Sequence, residues 1–358
     1  MSRPLIAYID IGALEHNLSV VRANAPNSKV WAVVKANAYG HGLEHCIRAL
    51  RNTDGYALIE LDAAIAMREA GYTHPILLLE GFFSVHELPI ISHYGMDVVV
   101  HCEEQLAMLE HHPATQGLKV HLKMNTGMNR LGFHPKQFRS AYQRLQSLPC
   151  VRAISLVTHM ANAEDPLHPR MPVSEQIQRF EEGANGLGGE RSLSNSATIL
   201  LHPEVRGDWV RPGIMLYGAS PGGKTAKEFG LKPAMTLTSA IIQIQEVGEG
   251  EPVGYGSLFV TPQAMRIGVV ACGYADGYPR NAPNGTPILV EGTRTSLVGC
   301  VSMDMITVDL THIPQACPGS PVVLWGGELP VDEVATATGT IGYELMCALS
   351  MRPQIIAC

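Results

Sequence analysis

The first candidate for chemistry is Lys35, which lies in the segment AVVKANAYGHG (32–42). A short apolar run rich in β-branched residues ends at this lysine, and a turn rich in glycine and asparagine follows at once. Such a run predicts a buried parallel strand with Lys35 at its end. An amine held there in apolar surroundings can form a Schiff base with a carbonyl cofactor. The alternative is a lysine that only marks the first solvated position after a strand, and Lys35 taken alone favours that alternative.

Reactive side chains also follow several other predicted strands. They are Tyr39 in the turn after Lys35, then Lys123, Arg130, His159, Asn195, Ser196, Arg211 and Gly213. Each has a purely structural explanation, such as Ser196 as a helix N-cap, His159 as a hydrogen-bonded core histidine, or a snorkelling Lys123. Their coincidence weakens these explanations, because the carboxyl ends of barrel strands meet at one face.

Ser196 and Gly213 lie where barrels often bind phosphate through backbone N–H groups. We expect Ser196 to cap the short helix that follows it and to donate its hydroxyl to the phosphate. A lysine at one strand end and a phosphate site across the barrel form the geometry that pyridoxal phosphate requires. The residues therefore predict this cofactor.

The elements that must position these residues recur between residues 30 and 216. Short apolar runs alternate there with amphipathic, helix-like stretches, which is typical of a (β/α)8 barrel of about 200 residues or more. The apolar runs lie near residues 30–34, 56–60, 75–80, 96–100, 118–123, 153–158, 191–194 and 209–216. The helix-like stretches include residues 61–70, 103–111, 135–148 and 172–187. A doubly wound open sheet is the alternative.

The composition changes at about residue 231, where a segment rich in Val, Ile, Thr, Gly and Pro begins. An alternating stretch at 236–247 and turn signals at 284–285 and 291–292 predict a smaller, mainly β domain. We therefore expect two domains. The barrel domain spans residues 1–230, and the C-terminal β domain spans residues 231–358.

Composition excludes several classes of function. The net charge is −7 without a basic block, which argues against nucleic acid as a partner. No apolar run approaches the roughly 20 residues of a membrane helix, and the N-terminus does not resemble a signal peptide. The 8 cysteines are scattered without CxxC spacing, and the 15 histidines form no convincing ligand set. We therefore expect a cytoplasmic protein with reduced thiols and no metal site.

Eight segments occur in a specific order and at specific separations. They are AVVKANAYGHG (32–42), LKMNTGMNRLGF (122–133), THMA (158–161), SNSAT (194–198), RPGIMLYG (211–218), VGYGS (253–257), GYADGYPR (273–280) and VGCVSMDM (298–305). This set resembles the alanine racemase family, two-domain pyridoxal-phosphate enzymes with an N-terminal (β/α)8 barrel and a C-terminal β domain. The resemblance covers nearly the whole chain. It implies a homodimer in the bacterial cytoplasm that interconverts L-alanine and D-alanine, either to supply peptidoglycan synthesis or to catabolise D-alanine.

The resemblance also implies roles for individual residues. Lys35 matches the Schiff-base lysine and one catalytic base, and Tyr255 matches the second base, contributed by the other subunit. Arg211 matches the arginine facing the pyridine nitrogen, and His159 the imidazole that links Arg211 towards the tyrosine. Further cofactor contacts are implied for Tyr39, Arg130, Asn195, Ser196, Gly213, Ile214 and Tyr343. Substrate-side roles are implied for Arg130, Met303, Asp304 and Tyr274, and Lys123 matches a lysine that is often carbamylated.

One departure and three alternatives accompany this interpretation. Asn125 stands where the family commonly has an aspartate, which affects the loop around Lys123. A non-catalytic pyridoxal-phosphate-binding protein is disfavoured by the second domain and by Tyr255 within it. A basic amino-acid decarboxylase is disfavoured because its characteristic glycine-rich runs are missing. A racemase of broader amino-acid specificity remains the alternative that is hardest to separate.

Overall fold

The barrel is the larger part of the computed structural model, which describes residues 3–112 and 117–358. Strand β1 (Ile6–Ile9) precedes it. The barrel strands β2 to β9 are Lys29–Val33, Gly55–Leu58, Ile76–Leu78, Asp97–Val100, Leu118–Lys123, Val151–Val157, Arg191–Ser192 and Trp209–Val210. Strands β2 to β8 pair in chain order, β9 pairs with β2, and a parallel bridge between Asn195 and Arg211 joins the two open edges. The predicted barrel is therefore confirmed against the open sheet.

Helices cover the outside of the barrel. They are Ile11–Asn24, Leu43–Ala49, Leu61–Glu69, Glu87–His93, Glu103–His111, Pro135–Ser147, Val173–Ala184 and Ser196–Leu201, with a 3-10 helix at Ile214–Tyr217. Helix Pro135–Ser147 shows the pattern that made them predictable: proline opens it, and Phe138, Ala141 and Leu145 are buried along one face. No helix in the described ranges is long and apolar enough to cross a membrane.

The C-terminal part is built on a second, mostly antiparallel sheet. Strands β10 to β18 are Met235–Val247, Pro252–Val253, Phe259–Val260, Met265–Val270, Pro287–Val290, Thr293–Ser296, Ile306–Asp309, Pro321–Trp325 and Gln354–Ala357. Strands β11 and β12 form a separate two-stranded sheet, and the others belong to the second sheet. Helices Val331–Ala337 and Gly342–Cys347 and the 3-10 helices Tyr255–Ser257 and Tyr274–Asp276 complete it. Glu291 and Gly292 both have positive φ and connect β14 to β15, as the turn signal in the sequence predicted.

The first strand of the chain lies in this second sheet. Strand β1 pairs antiparallel with β10 and parallel with β18, so Ile6 lies beside both Thr238 and Gln354. The predicted division at residue 230 places this segment with the barrel, whereas its hydrogen bonds join it to the C-terminal strands. Strands β1 and β18, near the two ends of the chain, are therefore neighbours within the second sheet.

The C-terminal part also packs onto the strand ends of the barrel. Gly40 has a φ of 79°, and a Cβ added to it would lie 2.1 Å from the carbonyl oxygen of Met346 in helix Gly342–Cys347. Glycine is required for this approach, because no side chain fits between the two backbones. The contact brings Tyr343 and Cys347 to the rim of the barrel, where they line the same cavity as Lys35.

Candidate active site

A cavity of about 860 Å³ opens at the carboxyl ends of the barrel strands. Most of the residues predicted for the site line it. They are Lys35, Tyr39, Lys123, Arg130, His159, Asn195, Ser196, Arg211, Gly213, Ile214 and Tyr343. These residues are distant in sequence and meet because all parallel strands of a barrel end at one rim.

Lys35 introduces an unusual turn, which we call the lysine turn (Lys35–Tyr39). The residues from Ala36 to Tyr39 all have φ values of 52° or 53°, which is the left-handed region. That conformation costs roughly 1–2 kcal/mol for each L-residue, so it persists only where the surrounding structure imposes it. One support is Glu60, whose carboxylate accepts a hydrogen bond from the Ala36 N–H at 3.0 Å. Another is the ring of Tyr39, which stacks on Tyr217.

Hydroxyl groups and a backbone N–H group gather around Gly213 in the cavity wall. The Ser196 hydroxyl accepts a hydrogen bond from the Gly213 N–H at 2.9 Å. Gly213 also leaves room for the Tyr39 hydroxyl, since a Cβ at Gly213 would lie 2.5 Å from that oxygen. Burial, followed by the neighbouring Tyr343, raises the pKa of Tyr39, so its hydroxyl keeps its proton and can donate it to an anion.

The helix that follows Ser196 is capped differently from our prediction. Asn195 is the N-cap of helix Ser196–Leu201, and its side-chain oxygen accepts a hydrogen bond from the Thr198 N–H at 3.0 Å. The prediction that Ser196 is the cap was wrong, because both residues are good caps and only the backbone geometry distinguishes them. Ser196 is thereby left to face Gly213 and the cavity.

Arg211 provides a positive charge to the cavity, and His159 provides a neutral imidazole. The buried Arg211 guanidinium donates to the Thr158 carbonyl at 2.5 Å and to the Ser192 carbonyl at 2.7 Å. Burial lowers its pKa to about 10, so it is still a cation at neutral pH. Burial, with Arg211 and Lys123 acting in the same direction, holds the pKa of His159 well below its usual value. His159 is therefore a neutral imidazole, and it lies 3.4 Å from the Asn195 amide.

Lys123 shares this positive environment. Burial lowers its pKa to about 8, and Arg211, Arg130 and Lys35 add to the effect, while Glu80 opposes it. Several cations thus face one cavity, and an anionic ligand would relieve their mutual repulsion. The cavity is suited to bind phosphate and carboxylate groups.

Asn125, which stands where the family commonly has an aspartate, forms hydrogen bonds within the loop that carries Arg130. The Asn125 side-chain oxygen accepts from the N–H groups of Gly127 at 3.1 Å and Asn129 at 3.0 Å. Its amide group also donates to the side-chain oxygen of Asn129 at 3.0 Å. An aspartate could accept the first two bonds but could not donate the third. Asparagine at this position therefore adds a hydrogen bond to Asn129 that an aspartate could not make, and it does so close to Lys123.

Four predicted residues lie outside the cavity of their own chain. The side chain of Tyr255 is 73% exposed, and Tyr274 and Met303 are also exposed. Asp304 instead pairs with Arg352 at 2.7 Å. Exposed apolar side chains recur between residues 255 and 305, and we call this set the tyrosine face (Tyr255, Leu258, Val260, Tyr274, Met303 and Met305).

Sequence reasoning missed several cavity residues. Glu80 and His101 line the cavity directly after β4 and β5, and Phe83 and Ile341 lie exposed at its mouth. The strand-end rule that selected Lys35 would have selected Glu80 and His101 as well. Cys347 also lines the cavity, and nothing in the sequence around it indicates this position.

The donor set fits pyridoxal phosphate. A lysine amine, protonated hydroxyls, backbone N–H groups and a buried arginine line one cavity. In the described part of the chain no group of three or more His, Cys, Asp or Glu side chains could hold a metal ion. The donors thus favour an organic anion with a reactive carbonyl.

Fold and site together define a two-domain barrel protein with a cavity suited to pyridoxal phosphate. Family models for the alanine racemase N-terminal domain and C-terminal domain match residues 9–221 and 234–357. The chain therefore belongs to the alanine racemase family, whose members are pyridoxal-phosphate-dependent isomerases. The predicted family, enzyme class and cofactor are confirmed.

Relatives and solved structures match this chain over nearly its full length. Alanine racemase from Janthinobacterium sp. (strain Marseille) is 59% identical over 99% of both chains, and that from Burkholderia mallei is 53% identical over 100% of both. The crystal structure of biosynthetic alanine racemase from Pseudomonas aeruginosa is 44% identical, with a TM-score of 0.96 over 99% of both chains. The alanine racemase structure from Bartonella henselae with covalently bound pyridoxal phosphate is 28% identical, with a TM-score of 0.89 over 99% of both chains.

Proposed function

We propose that the enzyme interconverts L-alanine and D-alanine with two bases on opposite faces of the substrate. Lys35 serves one face, and Tyr255 of the partner subunit serves the other. The observation that carries this proposal is the division of the chemistry within one chain: Lys35 lines the cavity, whereas Tyr255 is 73% exposed on an apolar face. A single chain thus presents one base to its own cavity and offers the other outward.

The cavity residues bind and orient the reactants. Tyr39, Ser196, Gly213, Ile214 and Tyr343 hold the phosphate with hydroxyl and N–H donors. Bound pyridoxal phosphate would supply the electron-withdrawing group that weakens the bond to the α-hydrogen of the substrate.

The cationic residues place the charges around the reactants. Arg211 would hold the pyridine nitrogen of the cofactor, and it stays protonated at neutral pH, since its pKa is about 10. Arg130 pairs with the substrate carboxylate. The neutral His159 lines the same cavity and would link Arg211 towards Tyr255 of the partner subunit.

Proton movement at Cα then determines the product. The Lys35 amine removes or returns the proton on one face, and the hydroxyl of Tyr255 of the partner subunit does so on the other. Inversion requires two groups, because a single base would return the proton to the face from which it came. Phe83 and Ile341 at the cavity mouth give the tyrosine face an apolar surface to cover. We therefore propose a homodimer with two shared sites.

The direct test is the formation of D-alanine from L-alanine by purified protein supplied with pyridoxal phosphate. Conversion towards an equal mixture supports the proposal. Serine, arginine and lysine are tested in parallel, since comparable turnover of these would favour the racemase of broader specificity. Cofactor binding without conversion of any amino acid would overturn the proposed reaction.

Substitution of Gly213 by alanine is expected to weaken cofactor binding. The new Cβ would lie 2.5 Å from the Tyr39 hydroxyl and displace it from the phosphate site. Overpacking costs about 1–3 kcal/mol and each 1.4 kcal/mol is about tenfold, so we expect the dissociation constant to rise roughly tenfold or more. Gly188→Ala is the matched control, because its Cβ would lie 3.7 Å from the Tyr142 hydroxyl and has room. Equal affinities of the two variants would contradict the assignment.

Carbamylation of Lys123 is expected to increase as the pH rises through about 8. Only the neutral amine reacts with carbon dioxide, and burial has lowered the Lys123 pKa to about 8. Below that pH the ammonium form predominates and the reaction is suppressed. Nuclear magnetic resonance with ¹³C-labelled bicarbonate measures the carbamate, and Lys123→Arg is the control that removes the signal. A protein without carbamate well above pH 8 would show that Lys123 acts as an amine.

A further inference from the structure

We propose that His41 is the positioning residue of the lysine turn. Its buried imidazole holds the left-handed backbone that places Lys35 and Tyr39 in the cavity. The inference rests on the proposed function in one respect, since it takes Lys35 and Tyr39 as the residues that hold the cofactor.

The contacts of His41 show which of its two ring nitrogens carries the proton. The side chain is completely buried, and its Nδ1 lies 3.1 Å from the Ala38 carbonyl oxygen and 2.9 Å from the Tyr39 carbonyl oxygen. Both carbonyls are acceptors, so Nδ1 must carry the proton and donate it. Burial lowers the pKa of His41 to about 4, so the ring stays neutral and Nε2 carries no proton. Among the described residues, Nε2 has no hydrogen-bond partner.

The turn needs such a donor at this place. The Ala36 and Asn37 carbonyls accept from the N–H groups of Gly40 at 3.0 Å and Gly42 at 3.1 Å. The Tyr39 carbonyl points instead to the imidazole, which reaches it from two residues further along the chain. A side-chain donor thereby satisfies a buried carbonyl at the end of a strained turn, where an unmade bond is costly.

Ring packing ties the same imidazole to the barrel. The His41 ring lies 4.6 Å from the Tyr217 ring, and Tyr217 stacks on Tyr39 at the same centroid distance, 4.6 Å. The Tyr217 hydroxyl donates to the carbonyl oxygen of Val33 in strand β2 at 2.9 Å. The three rings therefore clamp the turn onto the strand that leads into Lys35. We expect removal of the imidazole to loosen the Tyr39 end of the lysine turn while leaving the barrel strands paired.

The test compares cofactor retention in His41 variants of the holoenzyme. Borohydride reduction followed by peptide mass mapping measures the fraction of Lys35 that carries pyridoxal phosphate, and equilibrium titration measures its dissociation constant. His41→Leu removes the donor, and we expect the dissociation constant to rise at least about tenfold, since the turn then relaxes. His41→Asn keeps a donor of similar reach, and we expect it to recover most of the affinity.

His74→Leu is the matched control. His74 also hydrogen-bonds a backbone carbonyl, that of Arg51 at 2.9 Å, but it precedes β4 at the opposite end of the barrel. We expect this variant to lose stability without losing cofactor affinity. Equal affinities of His41→Leu and His74→Leu would overturn the positioning role. If Lys35 of the wild-type enzyme takes no label, the proposed function fails instead, which separates the two ideas.

A measurement on the unaltered enzyme does not depend on folding of a variant. Neutron diffraction of wild-type crystals locates the proton of the His41 ring. The proposal requires it on Nδ1, between the Ala38 and Tyr39 carbonyls. A proton on Nε2 would remove the donor from the turn and overturn the inference.

Discussion

Replacing Lys35 with alanine is expected to abolish racemisation and covalent attachment of the cofactor together. The lysine both attaches pyridoxal phosphate and moves a proton on one face of the substrate, so no other cavity residue replaces it. General acid–base catalysis alone contributes about 10²–10⁴-fold, and loss of the attachment adds to that. D-alanine formation and absorbance of the bound cofactor measure the two losses.

Lys29→Ala is the control for this variant. Lys29 begins the strand β2 that leads into Lys35, but its exposed side chain pairs with Glu190 at the amino end of the barrel. A surface ion pair of this kind contributes about 0–1 kcal/mol, so we expect nearly normal activity. Substantial racemisation by Lys35→Ala would remove this residue from the mechanism.

Replacing Tyr255 with phenylalanine is expected to lower kcat by roughly 10²–10⁴-fold, because one of the two bases loses its hydroxyl. The side chain is 73% exposed in the single chain, so the change has little effect on folding of the subunit. Thermal unfolding should therefore be close to that of the wild-type enzyme. A variant that keeps full activity would exclude Tyr255 as a base.

Mixing Lys35→Ala chains with Tyr255→Phe chains is expected to restore activity. Random pairing in a two-fold dimer leaves one intact site in each heterodimer, which amounts to roughly a quarter of all sites. Mixing Lys35→Ala with chains that carry both substitutions is the control, because no site then contains the lysine. Absence of recovery despite verified subunit exchange would show that each chain builds its own complete site.

The sequence was most informative about the barrel and the order of its strand ends. Strands such as β5 (Asp97–Val100) are buried along their whole length, so their apolar runs could be recognised without any alternation. Lys35, Lys123 and His159 follow such runs, and one geometric rule for parallel strands was enough to place them around a common cavity.

Sequence alone did not decide the structure where several partners compete for one place. Strand β1 pairs with β10 more than two hundred residues away, and its four residues carry no signal that distinguishes one sheet from the other. Asn195 and Ser196 are adjacent and both can cap a helix, so composition alone did not select Asn195. The left-handed lysine turn was equally unpredictable, because three of its four strained residues are alanine or tyrosine.

The sequence by itself determined which chemical groups are present and the order in which the strands deliver them. Only the tertiary structure decided their protonation and which of them share a cavity. The pKa of Lys123 falls to about 8 and that of His159 falls well below its usual value because burial and the nearby Arg211 act through space. Tyr255 likewise lies outside the cavity of its own chain, whereas Tyr343 of the same domain lines it, and only the folded chain distinguishes the two. Solvation and electrostatic energies depend on distances between atoms, and separation along the chain does not fix those distances.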